Sequence, residues 1–376
     1  MKRPAAILLA ATMACHGWTM RDGRVFDAEL VAADGLRATF TRTEKTPVVV
    51  PLSLLTDDDA RTIRAWREDR RHPLVLPQRL AKWPKQAAAP AREARFTGEE
   101  EGVFLYQSPH FIIGSDLKLP ASAANDIATV LEATRAALIA IPLGFHGGGE
   151  RERYRVHLFR DRAGYAAAGG INGSGGHYDG RTRRMLVLLP NLGIEEKDGV
   201  LRLDHRRSLF ILKHEVVHQL MAPWHRRLPL WVSEGIAEFI ASLPYANGTY
   251  TLQPPGAGMR DYLLKWQPSK NERNLRLIPP GELMAMDLHD WNAAVKRERA
   301  YDLYNSAALA TWHFIQRENG APLAAYLDAL RRGVKPAAAR ETHLFKGVGP
   351  GELTKQVAAT ARRLGIEPVD ETGDPF

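Results

Sequence analysis

The sequence predicts an α+β protein with a small β-rich domain ahead of a larger mixed domain. Short alternating runs between turn residues fill the first part of the chain, and in the rest strand-like runs come before the helical periodicities. This order favours α+β over a doubly wound sheet. Hydrophobic residues make up 45% and charged residues 25% of the 376 residues, which is ordinary globular composition.

Residues 1–15 are predicted to be a signal peptide. Lys2 and Arg3 precede a largely apolar run over residues 4–14, which is too short to span a bilayer permanently because that takes about 20 residues. We therefore expect an exported protein that is periplasmic, envelope-attached or extracellular. Cys15 stands where a lipid anchor would be attached, and simple cleavage is the alternative. It is the only cysteine, so no internal disulfide forms.

The charge distribution predicts no nucleic-acid partner. Lys and Arg number 51 against 43 Asp and Glu, a formal charge of +8. The excess is spread over many small groups, and no helix carries a basic stripe interleaved with exposed aromatics. A basic surface of this kind concerns solubility and steering.

Residues 17–69 are predicted to form the small β domain. Alternating runs predict strands over 25–31, 36–42 and 48–52, with Asp34-Gly35 as a tight turn. Thr56 is then a suitable cap for a short helix. With Trp18, Asp22-Gly23, residues 28–31 and 50–55, and Asp58, the segment resembles the Sla-homology domain, a small SH3-like barrel. The resemblance implies either a peptide or protein partner for this module or a structural spacer.

A proline-spaced segment separates this domain from the rest. Residues 70–98 contain Pro73, Pro77, Pro84 and Pro90 without a sustained apolar period, which predicts a semi-extended linker. Residues 99–366 are then the main domain, with paired strands over 102–115, a helix over 121–141 and strands at 154–159 and 185–189. Residues 367–376 are a tail.

A candidate metal-binding motif lies in the predicted helix over residues 210–221. Its sequence contains His214-Glu215-Val216-Val217-His218. Residues four apart share a helix face, so both imidazoles can reach one ion. Glu215 is turned aside by about 100° and can hold a water instead. H-E-x-x-H on a helix is the pattern typical of zinc metalloproteases.

A catalytic zinc needs a third protein ligand. His225 lies one residue past the position that the longer H-E-x-x-H-x-x-G-x-x-H pattern requires. Glu234 and Glu238 are better placed, because a second helix over residues 229–242, returning antiparallel after a proline-bracketed turn, would bring Glu234 against the His pair. Glu238 and His225 stay open as alternatives.

The two helices together resemble the gluzincins, a group of zinc peptidases in which a glutamate of an E-G-x-A segment is the third ligand. The match here is Glu234-Gly235-Ile236-Ala237. The resemblance implies a zincin-like domain with His214, His218 and Glu234 holding Zn²⁺ and Glu215 as the base. Glu238 is then expected to steady an imidazole N–H.

Residues 103–330 more weakly resemble an exported bacterial gluzincin-like family. The segments that match are 159–162, 176–178 and 304–309. We expect an exported zinc-dependent peptidase that acts on peptides or proteins. Tyr304 is the candidate donor to the oxyanion, with Tyr301 in reserve. His177 and Tyr178 are expected near the edge strand that lines the cleft. An envelope-anchored binding or scaffold protein with a structural or inactive zinc site is the alternative.

Overall fold

A computed structural model describes residues 16–41, 47–71, 82–145, 153–197, 200–203, 209–265, 273–296 and 300–376. The chain divides into two compact units, Met1–Pro73 and Leu74–Phe376. The predicted α+β class is confirmed, since helices and several separate sheets are both present. The predicted signal peptide and Cys15 lie outside the described residues. Among the described helices, none combines the length and apolar character that crossing a bilayer requires.

The first unit is a four-stranded antiparallel sheet with one helix. Its elements are β1 His16–Thr19, β2 Val25–Ala33, β3 Arg37–Thr41, β4 Val48–Pro51 and α1 Asp57–Arg71. The three strands predicted from alternation are confirmed, and the hydroxyl of Thr56 accepts the backbone N–H of Asp59 at the start of α1. Trp18, Phe40 and Ile63 lie in its core.

The expected SH3-like barrel is not closed in the described part of this unit. The strands pair in the order β1-β2-β3-β4, and β1 and β4 have no ladder between them. The two ends meet through a bridge between Met20 and Leu55, with bonds from the Arg21 N–H to the Leu54 carbonyl and from the Thr56 N–H to the Thr19 carbonyl. The sheet is therefore open, because the chain after β4 turns into a short 3₁₀ helix (Leu52–Leu54) and then α1.

The predicted linker differs from the structure at both ends. Its first residues belong to α1, and residues 82–98 pack within the second unit. Trp83 is buried against Phe239 at 6.2 Å between ring centroids, and β5 (Gln86–Ala88) pairs with a strand far along the chain. One buried tryptophan and a three-residue strand produce no repeating apolar pattern in the sequence. The prediction of a linker therefore followed from the prolines. Residues 72–81 lie outside the described residues.

A six-stranded sheet forms one side of the second unit. Its strands are β6 Arg95–Glu100, β7 Val103–Gln107, β8 Phe111–Ser115, β9 Tyr154–Phe159, β10 Gly176–Asp179 and β11 Arg184–Leu188, in the order β10-β11-β9-β8-β7-β6. The pairs β8–β9 and β9–β11 are parallel, and the outer pairs are antiparallel. The strand β10 thus lies at an edge.

Smaller ladders complete the unit. They are formed by β12 Ile194–Lys197 with β13 Val200–Leu203, by β14 Tyr245–Ala246 and β15 Thr249–Thr251 with β5, and by β16 Asn274–Arg276 with β17 Glu367–Val369. The predicted tail therefore supplies a strand. Its last residue, Phe376, packs against the core, and Arg362 donates to its backbone carbonyl at 2.8 Å. The segment is therefore part of the packed unit and not a free tail.

Helices cover the sheet and fill the rest of the unit. They are α2 Ala121–Ala140, α3 Arg162–Ala167, α4 Phe210–Leu220, α5 Leu230–Ser242, α6 Met259–Leu263, α7 Pro280–Leu283, α8 Leu288–Lys296, α9 Ala300–Gln316, α10 Ala321–Arg331, α11 Pro336–Arg340 and α12 Pro350–Arg363. The helices predicted over 121–141, 210–221 and 229–242 are confirmed. The helix α4 packs against α2, β10 and β11, while α5 lies against both α4 and α9.

Candidate metal centre

The two helices that carry the candidate ligands are joined by a short, well-anchored turn. Leu212, Val216 and Val217 bury one side of α4 in the core. The chain then forms a 3₁₀ turn, Ala222–Trp224, in which the Trp224 indole donates to the Gly144 carbonyl at 2.9 Å. Pro229 precedes the first residue of α5, where its missing N–H costs nothing. The turn sets α5 against α4.

Three donor atoms converge between α4 and α5. His214 Nε2 and His218 Nε2 lie 3.1 Å apart. Glu234 Oε2 lies 3.4 Å from His214 Nε2 and 3.3 Å from His218 Nε2. These three residues form a group that could hold a metal ion. As predicted, the two histidines share one face of α4, and α5 brings Glu234 against them.

The spacing of these atoms fits a tetrahedral ion. With metal–ligand distances of about 2.0–2.2 Å, two ligands of a tetrahedron lie about 3.3–3.6 Å apart, and the observed separations fall within about 0.2 Å of that range. Hydrogen bonding alone explains the group poorly, because two ring nitrogens face each other while both also face one carboxylate oxygen. A cation satisfies all three lone pairs at once.

The charges within the group favour an anionic carboxylate beside the rings. Burial by itself would raise the pKa of Glu234, but His218 and His214 outweigh it and hold that pKa well below its usual range. Burial likewise opposes a charge on His214, yet Glu238 and Glu234 raise the pKa of His214 well above its usual value. The site therefore concentrates negative charge around the imidazoles, which also suits a bound cation.

The other nitrogen of each imidazole has its own neighbour. Glu238 Oε1 lies 3.3 Å from His214 Nδ1, and Ser233 Oγ lies 3.4 Å from His218 Nδ1. Such outer contacts orient ligating histidines. Of the alternatives for the third ligand, Glu238 thus approaches the outer side of His214, whereas Glu234 approaches both inner nitrogens.

His225, the remaining alternative, lies beside this group. Its ring centroid is 6.1 Å from that of His218 and 5.6 Å from that of Tyr178. Burial first, and then the nearby His218, lowers the pKa of His225 to about 4. The ring is therefore neutral and packed against the site. It does not belong to the group of three donor atoms.

Glu215 lies between α4 and the edge strand. Its side chain is buried, and α4 packs here against β10, the strand that carries Tyr178. Burial raises its pKa, while His214 and His218 act in the opposite direction. As the helical geometry predicts, Glu215 is not one of the three converging donors.

Tyr304 reaches the site from α9. Its ring lies 6.3 Å from the His214 ring and 6.0 Å from the Trp291 ring. Burial, followed by the carboxylates of Glu234, Glu238 and Glu215, raises the pKa of Tyr304. The hydroxyl therefore stays protonated and able to donate.

The other residues singled out by sequence take different places. Tyr301 is largely exposed at 57%. His177 lies on β10, as expected, where its Nδ1 is 3.0 Å from the Tyr165 hydroxyl. His313 is buried, with its Nδ1 2.8 Å from Thr360 Oγ1.

A second group of potential ligands was missed by sequence reasoning. Asp287, His289 and Asp290 place ligand atoms within 4.8 Å of one another at the start of α8. All three are exposed, and Asp287 Oδ1 already accepts the Asp290 N–H at 2.9 Å. The D-x-H-D spacing was the available signal, but it is equally typical of a helix N-terminus.

Comparisons with known proteins add no assignment. A scan against protein-family models gives no match for the chain, and a search of curated proteins gives none either. The resemblance to the gluzincins therefore rests on the motif residues alone.

Proposed function

We propose that the protein is an exported zinc-dependent peptidase whose second unit is a zincin-like domain. The observation that carries the proposal is the convergence of His214 Nε2, His218 Nε2 and Glu234 Oε2 within 3.1–3.4 Å of one another. Two imidazoles and one carboxylate form a donor set that suits zinc and leaves a fourth position open. The edge strand β10 beside α4 supports the same interpretation.

The surrounding residues are placed for hydrolysis of a peptide bond. A bound zinc ion would supply Lewis acidity and lower the pKa of a coordinated water. Glu215 is the base that accepts a proton and passes it to the leaving amine. Tyr304 donates a hydrogen bond from its protonated hydroxyl to the oxygen that gains negative charge. Glu215 is buried on the same helix as the histidines, and the Tyr304 ring lies 6.3 Å from the His214 ring.

Metal content tests the first part of this proposal. Elemental analysis of the purified chain should give about one zinc per molecule in the wild type, and loss of zinc in His218→Ala and Glu234→Ala. His289→Ala is the matched control, because it removes an exposed histidine from the other acidic group. Zinc retained by both His218→Ala and Glu234→Ala would refute the ligand set.

Hydrolysis tests the second part. A peptide library followed by mass spectrometry should reveal cleavage by the wild type and at least a hundredfold loss in Glu215→Gln, since general base catalysis contributes about 10²–10⁴-fold. Glu215→Gln should keep its zinc. If the wild type binds zinc but cleaves nothing, the binding or scaffold protein with a structural zinc site is the better description.

Export and anchoring belong to the same proposal. They are supported by the basic start, the short apolar run and Cys15. Mass spectrometry of the mature N-terminus after expression in a bacterial host should find residues 1–14 or 1–15 removed, and a lipid mass on Cys15 if the chain is anchored. A protein that still starts at Met1 would contradict export by this signal. A protein partner for the first unit is proposed on the Sla-homology resemblance alone.

A further inference from the structure

His214 is in contact with a buried carboxylate on its outer side. Glu238 is 4% exposed, and its Oε1 lies 3.3 Å from His214 Nδ1. A buried carboxylate needs hydrogen bonds to its remaining lone pairs. The partner of the other oxygen therefore matters for how firmly Glu238, and through it His214, is held.

That partner is Tyr262 on α6. The Tyr262 hydroxyl donates to Glu238 Oε2. A hydrogen bond to a charged acceptor is roughly twice as strong as a neutral one. The bond therefore fixes the carboxylate in the rotation that presents Oε1 to His214.

Tyr262 also contacts the helix that carries both histidines. Its ring stacks on Phe210 with centroids 5.4 Å apart and an interplanar angle of 23°. Phe210 lies one turn before His214 on α4, and the two rings are 6.0 Å apart. One side chain thus contacts α4 through its ring and α5 through its hydroxyl.

The chain before Tyr262 fixes the position of α6. Gly258 adopts φ +88°, and a Cβ there would lie 2.5 Å from the Ser242 carbonyl oxygen at the end of α5. Gly256 adopts φ +82°, and a Cβ there would overlap the Trp312 ring of α9. Only glycine fits at either position. The helix is therefore seated closely against α5 and α9, which makes the Tyr262 hydroxyl a fixed donor.

We propose that Tyr262 is a positioning residue for the metal centre, acting on the ligand His214 through Glu238. The inference rests on the proposed zinc site and deepens it. Tyr262 touches none of the three converging donor atoms. Its expected effect is on how tightly and in what geometry the metal is held, because outer partners of ligating histidines typically contribute 10–100-fold to affinity.

The test is a metal-affinity comparison on the full chain. Zinc affinity, measured by competition with a chromogenic chelator, should fall about tenfold in Tyr262→Phe. Tyr250→Phe is the matched control, because it removes the hydroxyl of another buried tyrosine, one that lies 2.8 Å from Thr134 Oγ1. The zinc affinity of Tyr250→Phe should equal that of the wild type. The double variant Tyr262→Phe/Glu238→Gln should bind zinc no more weakly than Glu238→Gln alone, since both residues act through one contact.

A second readout separates positioning from loss of structure. With Co²⁺ in place of zinc, the visible absorption bands of Tyr262→Phe should shift relative to those of wild type and Tyr250→Phe, while the far-ultraviolet circular dichroism of all three stays the same. Wild-type affinity and spectra in Tyr262→Phe would overturn the inference and leave the zinc site standing. A wild type that binds no zinc would overturn both.

Discussion

The close contact between α5 and α9 predicts that a single methyl group will disturb the candidate metal centre. Gly235 follows the candidate ligand Glu234 and faces α9. A Cβ at this position would overlap Thr311 Oγ1 and the Ala307 carbonyl oxygen, and it would lie 3.0 Å from the Ala307 carbonyl carbon. The Thr311 side chain can rotate, but the Ala307 carbonyl belongs to the α9 backbone. In Gly235→Ala the two helices must therefore separate.

The expected cost follows from two opposing terms. Alanine is favoured over glycine in a helix interior by about 1 kcal/mol. Overpacking a well-packed core typically costs about 1–3 kcal/mol and occasionally more. Because the obstructing Ala307 carbonyl is backbone and cannot rotate away, we expect a cost of about 3 kcal/mol here. The free energy of unfolding should thus fall by about 2 kcal/mol. For a unit of about 300 residues that lowers the melting temperature by roughly 3 °C.

The same displacement should weaken metal binding. Glu234 moves with α5, so its Oε2 is pulled from its position 3.3–3.4 Å from the two imidazole nitrogens. We expect zinc affinity to fall at least about tenfold, as for loss of an orienting contact. Thermal unfolding followed by circular dichroism, together with chelator competition, measures both effects.

Two variants serve as controls for this prediction. Gly164→Ala in α3 adds the same methyl group where the nearest atoms are 3.6 Å away, so its stability should match or slightly exceed that of wild type. Thr311→Ala removes one of the two obstacles, and Thr311 Oγ1 has no hydrogen bond to lose. Combined with Gly235→Ala it should restore part of the stability. If Gly235→Ala is as stable as wild type and binds zinc equally well, the steric reasoning fails.

Three further perturbations test other parts of the second unit. Glu132→Ala should lower the free energy of unfolding by about 3 kcal/mol, because the buried carboxylate accepts from Ser108 Oγ at 2.7 Å and from the His110 backbone and ring at 2.8 and 2.7 Å. Denaturant unfolding measures this loss, and an unchanged midpoint would contradict it. Burial, followed by Arg317 and Arg363, lowers the pKa of His313 to about 4. The unfolded imidazole titrates near ~6.5, so the unfolded chain binds more protons in this window and stability falls by up to about 3 kcal/mol as the pH drops from ~6.5 to ~4. His313→Gln should flatten that slope in denaturant unfolding, and equal slopes would rule out His313 as the cause. Zinc at a hundredfold excess over its dissociation constant should stabilise the wild type by about 2.7 kcal/mol and leave His218→Ala unaffected, as thermal unfolding with and without chelator would show. A chelator effect of equal size in both proteins would place the zinc elsewhere.

Local spacing was enough to predict the two helices that carry the candidate ligands. His214 and His218 share a helix face whatever surrounds them, and the Pro-bracketed turn made an antiparallel return of Glu234 the simplest path. The strands of the first unit followed from alternation, and those at residues 154–159 and 185–189 from short strand-like runs in the same local way. In each of these cases the signal lies within one element or between two consecutive ones.

Contacts between distant segments could not be predicted. The segment Gln86–Ala88 pairs with Thr249–Thr251, and the predicted tail pairs with β16. No local pattern encodes such a register, so the linker and the tail were assigned from composition. The contact of Tyr262 with Glu238 was missed for the same reason, since the two residues lie on different helices and neither belongs to the motif.

The glycine of the E-G-x-A segment has a physical role that the pattern alone does not reveal. The carboxylate of Glu234 comes within reach of both histidines only if α5 lies close to α4, and α5 is held there by α9 on its other side. Gly235 permits this approach because the Ala307 carbonyl occupies the space of a side chain. Residues on α9 outside the group of three donor atoms, Thr311 among them, therefore help to set the distance between Glu234 and the imidazoles. Substitutions that enlarge this face of α9 should weaken metal binding as Gly235→Ala does, whereas substitutions at its exposed ends, Tyr301 and Gln316, should not.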